Sequence, residues 1–263
     1  MNAIPVPMDV RLMNFMASVL LLGCALFAAI AGAQWVLRHP VFAIARIVVQ
    51  GELAHNNAVT LRANLASQIT GNFFTVNLKA VRDAFQQVAW VRKAEVSREF
   101  PQTLRVHLQE HHAAAHWGLE GDNTMLNQQG EVFEANGAEL DLESLPRLYG
   151  PPGFAAQVLA MSRELTPVFE TLGLQLNGLD LSARGGWLAT LDGSAQVELG
   201  GGTPPEVVAR TRLFAETLTQ VAAQYGRRPD ALESADLRHT GGYALKLRGV
   251  TTVSAPPQSR PVR

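Results

Sequence analysis

The sequence predicts an α+β fold in three parts: a single N-terminal transmembrane helix, a small β-α-α-β-β unit, and a mixed β domain with flanking helices. Three observations predict it. A run of 26 residues, 12–37, contains no Asp, Glu, Lys, Arg or His. Behind it, between residues 42 and 110, two helix-period apolar stripes are bracketed by strand-like segments. From residue 111 onward, short alternating segments are separated by Gly- and Asn-containing turns.

The uncharged run exceeds the roughly 20 apolar residues that cross a bilayer as a helix. Asn14, Ser18 and Gln34 are its strongly polar members, and Trp35 stands at the far end, where an aromatic ring would meet headgroups. The competing reading is a cleaved signal peptide, because Ala31-Gly32-Ala33 fits the small-x-small cleavage pattern. The run is longer than the roughly 7–15 residues of a signal core, so an uncleaved anchor is the expectation. Arg11 and Arg38 flank the run almost evenly, so the positive-inside rule leaves orientation open. The export-like edge favours a cytoplasmic N-terminus and an exported bulk.

In the first soluble unit, residues 42–49 are rich in β-branched side chains and read as a strand. Asn57 is placed to cap a helix carrying Leu61, Leu65 and Ile69. Asn77 is placed to cap a second, whose stripe is Leu78, Val81, Phe85 and Val88. Residues 91–98 and 103–110 follow as strands around Phe100-Pro101. In the second, Leu104, Val106 and Leu108 alternate with Arg105 and His107, so one face is buried and one solvated.

Beyond His111, turns are expected at Asn127-Gln128-Gln129-Gly130 and at Asp192-Gly193, the latter between two strands. One helix is expected over 154–172. Another starts at Pro204-Pro205-Glu206 and carries Val207, Phe214, Leu218, Val221 and Tyr225. Strands close the domain at 234–239 and 243–248. The parts are then a cytoplasmic tail 1–11, a transmembrane helix 12–37, a first domain 38–110, a β domain 111–249 and a disordered, Pro- and Ser-rich tail 250–263.

Lys+Arg of 22 against Asp+Glu of 23 gives a net charge of −1, which leaves no basic excess for nucleic acid. The one cysteine, Cys24, lies inside the span, so the exported part has no disulfide.

Several motifs resemble the FtsQ/DivIB family of bacterial cell-division proteins. Gly71-Asn72-Phe73-Phe74-Thr75-Val76-Asn77-Leu78 is similar to the family's loop into its second helix. Trp90-Val91-Arg92-Lys93-Ala94-Glu95-Val96-Ser97-Arg98-Glu99-Phe100-Pro101 is similar to its W-V-x-x-A-x-V-x-R-x-x-P segment. Gly130-Glu131-Val132-Phe133, Leu145-Pro146, Gly150-Pro151, Leu181-Ser182-Ala183-Arg184-Gly185-Gly186-Trp187 and Asp236-Leu237-Arg238 follow in the family's order. The resemblance implies that the first unit is a POTRA domain and the second the family's β domain. It also implies a non-catalytic inner-membrane scaffold of the divisome, which binds FtsB and FtsL in the periplasm and links early and late division proteins at the septum. Other divisome proteins would meet the POTRA domain. The family often has tyrosine after Asp-Leu-Arg, where this chain has His239.

A terminal strand has no successor in sequence, so one of its edges can stay free to pair with an incoming chain. The candidate partner-binding residues on this strand and its approach are accordingly Gly241, Gly242, Tyr243, Ala244, Leu245 and Lys246. Arg184 and Arg238, which read from the sequence alone as solvated face residues, and His239 join them as what the family resemblance implies. Tyr243, Leu245 and Leu247 are expected to face the core, and a proline near Ala244 to break the added ladder.

No catalytic residue, cofactor or small-molecule substrate is assigned. Two other functions compete. The first, a POTRA-bearing component of an envelope export assembly, would need a barrel of many alternating strands, and the sequence contains none. The second is a metal enzyme built on His107, His111, His112 and His116. Strand alternation splits those four between two faces, which suits solvated side chains better than a tetrahedral site. Gly200-Gly201-Gly202-Thr203 is a poor phosphate loop, with no lysine and two prolines where amide donors are needed. Trp187, on an alternating strand with Ala189 and Leu191, is read as core.

Overall fold

The computed structural model describes residues 8–66, 69–135, 144–239 and 241–250. The chain divides into two compact units, Met1–Glu110 and His111–Arg263. Of the two expected tails, residues 1–7 and 251–263 lie outside the described residues.

The first unit opens with α1, Met8–Arg38. Its stretch Met8–Trp35 is long and apolar enough to cross a membrane, and none of it is buried by the protein. Leu20, Leu22 and Phe27 are exposed, an arrangement that fits a single-pass membrane protein with lipid as the missing solvent.

The expected strand at 42–49 begins later than its composition suggests. Pro40–Phe42 forms a 3₁₀ turn, with Pro40 at its first position and the His39 Nδ1 accepting from Val41 N at 3.3 Å. Strand β1 is Arg46–Gly51. Helix α2, Ala58–Ala66, is capped by Asn57, whose Oδ1 accepts from Val59 N at 2.8 Å. Helix α3, Leu78–Gln86, starts where Asn77 Oδ1 accepts from Lys79 N at 3.0 Å and Ala80 N at 3.1 Å. These caps occupy amides that a helix start leaves without partners.

Strands β2, Val91–Glu99, and β3, Thr103–Glu110, are joined through a cis Phe100-Pro101 bond. The sheet order is β1-β3-β2, with β1 parallel and β2 antiparallel to the central β3. Leu61 and Leu65 of α2 and Val81 and Phe85 of α3 close on Val49, Ala94, Leu104, Val106 and Leu108 as one core. Phe85 is fully buried.

Among its described residues the second unit contains a nine-stranded sheet of order β12-β11-β10-β9-β8-β7-β4-β5-β6. Its strands begin with β4 Ala113–Trp117, β5 Thr124–Asn127, β6 Val132–Glu134 and β7 Arg147–Tyr149. They continue with β8 Leu176–Leu181, β9 Trp187–Leu191 and β10 Gln196–Gly200. The last two are β11 Leu232–Asp236 and β12 Ala244–Leu247.

Helices α4, Ala155–Glu170, and α5, Pro204–Gln224, lie against each other and against the sheet. Trp187 is 2 % exposed and sits in the core with Phe169, Phe214 and Leu218. Tyr225 departs from the expected stripe. It is the residue after α5 and stands 58 % exposed, because the helix has ended before its ring could turn inward.

Candidate partner-binding edge

Three features meet at one end of the large sheet. The first is the turn between β8 and β9. Ser182 N donates to Gly186 O at 2.8 Å, Gly186 N donates to Ser182 Oγ at 2.9 Å, and Gly185 takes φ +81°. Arg184 rides this turn and is exposed.

The second is the end of β10. A Cβ on Gly200 would lie 2.9 Å from Arg238 Cγ, and one on Gly201 would lie 3.3 Å from the Gly185 carbonyl. Small residues there let the Arg184 turn and Arg238 draw in around a cleft of 420 Å³ lined also by Asp180, Glu198 and Leu188. Burial pushes the Asp180 carboxyl up. The glycines do not make a phosphate loop: Glu206 Oε2 accepts from Thr203 N at 2.8 Å in a capping box that closes the α5 N-terminus. That backbone hydrogen bond, with the Thr203 side chain second, holds the Glu206 carboxyl below its ordinary value.

The third is the loop from β11 to β12. The expected strand over 234–239 stops at Asp236, and the next residues turn away. Arg238 folds back on its own motif: Nε donates to Asp236 Oδ1 at 2.9 Å, Nη2 to Asp236 Oδ2 at 2.6 Å, and the Arg238 amide to Asp236 Oδ1 at 3.0 Å. The side-chain hydrogen bonds from Arg238, with the amide second, hold the Asp236 carboxyl far below the usual carboxylate range. Arg238 is therefore a clamped cation, not a free one. His239 is 69 % exposed, its Nε2 3.9 Å from Asp236 Oδ2. Gly241 and Gly242 are exposed in the same loop.

Strand β12 is the edge. It pairs with β11 in the register Asp236↔Ala244, Ala235↔Leu245, Ser234↔Lys246. The direction of its main-chain groups follows from alternation. Leu237 N donates to Glu198 O on β10 at 2.9 Å, so the neighbouring Asp236 turns its amide and carbonyl toward β12. Ala244 and Lys246 answer it, and Arg248 N continues the series by donating to Ala231 O at 2.8 Å. The main-chain groups of Tyr243 and Leu245 are left facing outward from the sheet, while the Leu247 carbonyl accepts from Val250 N at 3.2 Å. A proline at Ala244 would therefore break the protein's own ladder, and the amide that an added strand would use belongs to Leu245.

The side chains sort as the alternation requires. Leu247 is buried, and Tyr243 and Leu245 pack against the core. The Tyr243 ring meets Phe214 edge-on at 5.0 Å, and its hydroxyl lies 2.8 Å from Thr217 Oγ1. Tyr225, Val221, Thr217, Tyr243 and Leu245 line a groove of 540 Å³ between α5 and the edge. Lys246 pairs across the strands with Glu233. Sequence reading missed two partners, Asp236 for Arg238 and Glu233 for Lys246. The carboxylate at two residues' spacing from Arg238 was a visible signal for the first.

Among the described residues no group of three His, Cys, Asp or Glu could hold a metal ion. His107 lies on β3 of the first unit, and His111 stacks on Phe133 in the second, ring centroids 4.2 Å apart.

One membrane-length apolar helix among the described residues, a β-α-α-β-β unit and a β domain with β12 at its edge fit a single-pass membrane protein of the POTRA-plus-β-domain class. Residues 42–111 match the model of the FtsQ-type POTRA domain, and residues 115–238 that of the C-terminal region of the cell division protein FtsQ/DivIB. The chain is 36 % identical to the cell division protein FtsQ of Burkholderia pseudomallei, over 92 % of this chain and 94 % of that one. It is 34 % identical to the FtsQ proteins of Thiomonas arsenitoxydans and Bordetella pertussis, over 93 % and 91 % of this chain and 90 % and 92 % of theirs. The chain belongs to the FtsQ/DivIB family of cell division proteins.

Proposed function

We propose that this protein is a non-catalytic scaffold of the divisome, with its N-terminus cytoplasmic and its bulk periplasmic at the septum, and that it captures FtsB, in company with FtsL, by strand addition to β12. It would thereby link early and late division proteins, with others meeting the POTRA domain. The observation that carries the reading is the outward main-chain row that runs through Tyr243 and Leu245 on a strand that, among the described residues, is paired on one side only. Such a row supplies affinity through backbone hydrogen bonds, while the groove beside α5 selects alternate side chains. Arg184, exposed on its turn at the same end of the sheet, is the cation offered to an acidic partner, and Arg238 shapes the corner through Asp236.

Calorimetry of residues 38–263 with the FtsB periplasmic segment tests it. Leu245→Ala keeps the amide and Leu245→Pro removes it, so the proline variant should bind at least about tenfold more weakly than the alanine variant, the ratio for roughly 1.4 kcal/mol. Arg184→Glu should weaken binding and slow association. Equal affinity of the two Leu245 variants, both folded by circular dichroism, would place the partner elsewhere.

A further inference from the structure

Three segments of the first unit bring aromatic side chains to one end of its sheet, the end at which the chain arrives from α1. They are the 3₁₀ turn with Val41 and Phe42, the loop with Phe73 and Phe74, and the β2–β3 turn with Phe100. Phe73 is buried and holds the others together, its ring edge-on to Phe74 at 5.3 Å and to Phe100 at 6.1 Å, while Phe42 meets Phe74 at 4.9 Å. The outer members are open: Val41 is 56 %, Phe74 44 % and Phe100 75 % exposed.

The backbone ties the segments. Phe73 N donates to Phe42 O at 2.8 Å, Ala45 N to Gln102 O at 3.0 Å, and the Gln102 side-chain amide to Val41 O. Arg98, whose Nη2 donates to Val76 O at 2.8 Å, and Arg46 at the start of β1 stand exposed at the same end. Single exposed apolar residues are ordinary, but a braced cluster rimmed by arginine is the composition of a surface that meets lipid.

We infer that this aromatic end of the POTRA domain is seated in the headgroup region of the same bilayer that α1 spans. The covalent distance makes lipid the occupant. Trp35 closes the membrane-spanning stretch and α1 continues to Arg38, a further rise of only about 5 Å. The 3₁₀ turn begins two residues later. The chain thus leaves α1 at Arg38 within the polar layer of the bilayer, which extends roughly 5–8 Å beyond the hydrocarbon on each side, and Val41 and Phe42 follow it by three and four residues. Phenylalanine and valine gain there by burial at the acyl boundary, and Arg98 and Arg46 by proximity to anionic headgroups. The domain would be held by its aromatic end as well as by its tether, which limits its tilt. The inference is independent of the partner edge on the second unit.

The test uses the full chain in lipid nanodiscs of phosphatidylethanolamine and phosphatidylglycerol. Cys24→Ser removes the native thiol, and a fluorophore is placed at Phe100→Cys or, for comparison, at Val59→Cys. Val59 is 69 % exposed and apolar, but stands on α2 at the opposite end of the sheet. Nitroxide carried near the lipid headgroup should quench the label at 100 at least about twofold more than the label at 59, with iodide quenching in the reverse order. Phe74→Ser in the Phe100→Cys chain should then lower nitroxide quenching and admit iodide. Equal iodide access at both sites would overturn the inference. So would protection from both quenchers, which would mean a protein occupant, or indifference to Phe74→Ser, which would mean that the fluorophore sought the lipid unaided.

Discussion

Asp236 and Arg238 show how two charges shape a corner without being free. Their forked pairing gives planar recognition within one loop, and Gly200 makes room for the Arg238 stem, since a Cβ there would come within 2.9 Å of it. The pairing links stability to pH with a definite sign. The folded-state pKa of Asp236 is depressed, so its contribution is fully present above the ordinary carboxylate value of about 3.9 and is lost as pH falls through the lower folded value. Asp236→Asn should therefore lower stability at neutral pH and lose less of it on acidification than wild type does. Urea melts of residues 38–263 at about pH 7 and about pH 3 check this. Equal losses would mean that the carboxylate is not linked to folding. The sequence offers Arg238 as a candidate partner-facing cation; the turn that ends β11 at Asp236 pairs it with that carboxylate and leaves it exposed.

At the scale of elements, the caps were legible. Asn57 and Asn77 start α2 and α3 where their side chains suggest, because a cap acts within three residues of itself. The start of β1 was not, since Ile44 and its neighbours have strand composition yet follow a 3₁₀ turn pinned by His39 and Phe42. Strand β12 was legible as an edge, but not which of its amides is free, because that parity is fixed by the β10–β11 pairing. Helix α1 carries its own expectation. An apolar stretch of 28 residues, Met8–Trp35, is longer than a signal core, so the span should persist in the mature protein. Intact mass of the membrane-fraction protein tests this, and a chain beginning at Gln34 would show cleavage instead.

Across the whole molecule, the two units have separate cores, one around Phe85 and one around Trp187, Phe169 and Phe214. Separate cores predict separate unfolding. Phe85→Ala should destabilise the first transition by about 3–5 kcal/mol and leave the second in place, and Trp187→Ala should do the reverse. Calorimetric melts of residues 38–263 report both, and a single transition moved equally by either variant would refute the division. The sequence by itself determined the N-terminal apolar helix, the β-α-α-β-β order and the helix starts, because hydropathy, period and capping act over a few residues, and its motifs carried the family resemblance. Only the tertiary structure decided which main-chain groups of β12 face outward, that Arg238 is held by Asp236, and that Val41, Phe74 and Phe100 share one surface. Each of those depends on pairing or packing between residues distant along the chain or on a turn whose direction the sheet sets, and no local pattern carries that information.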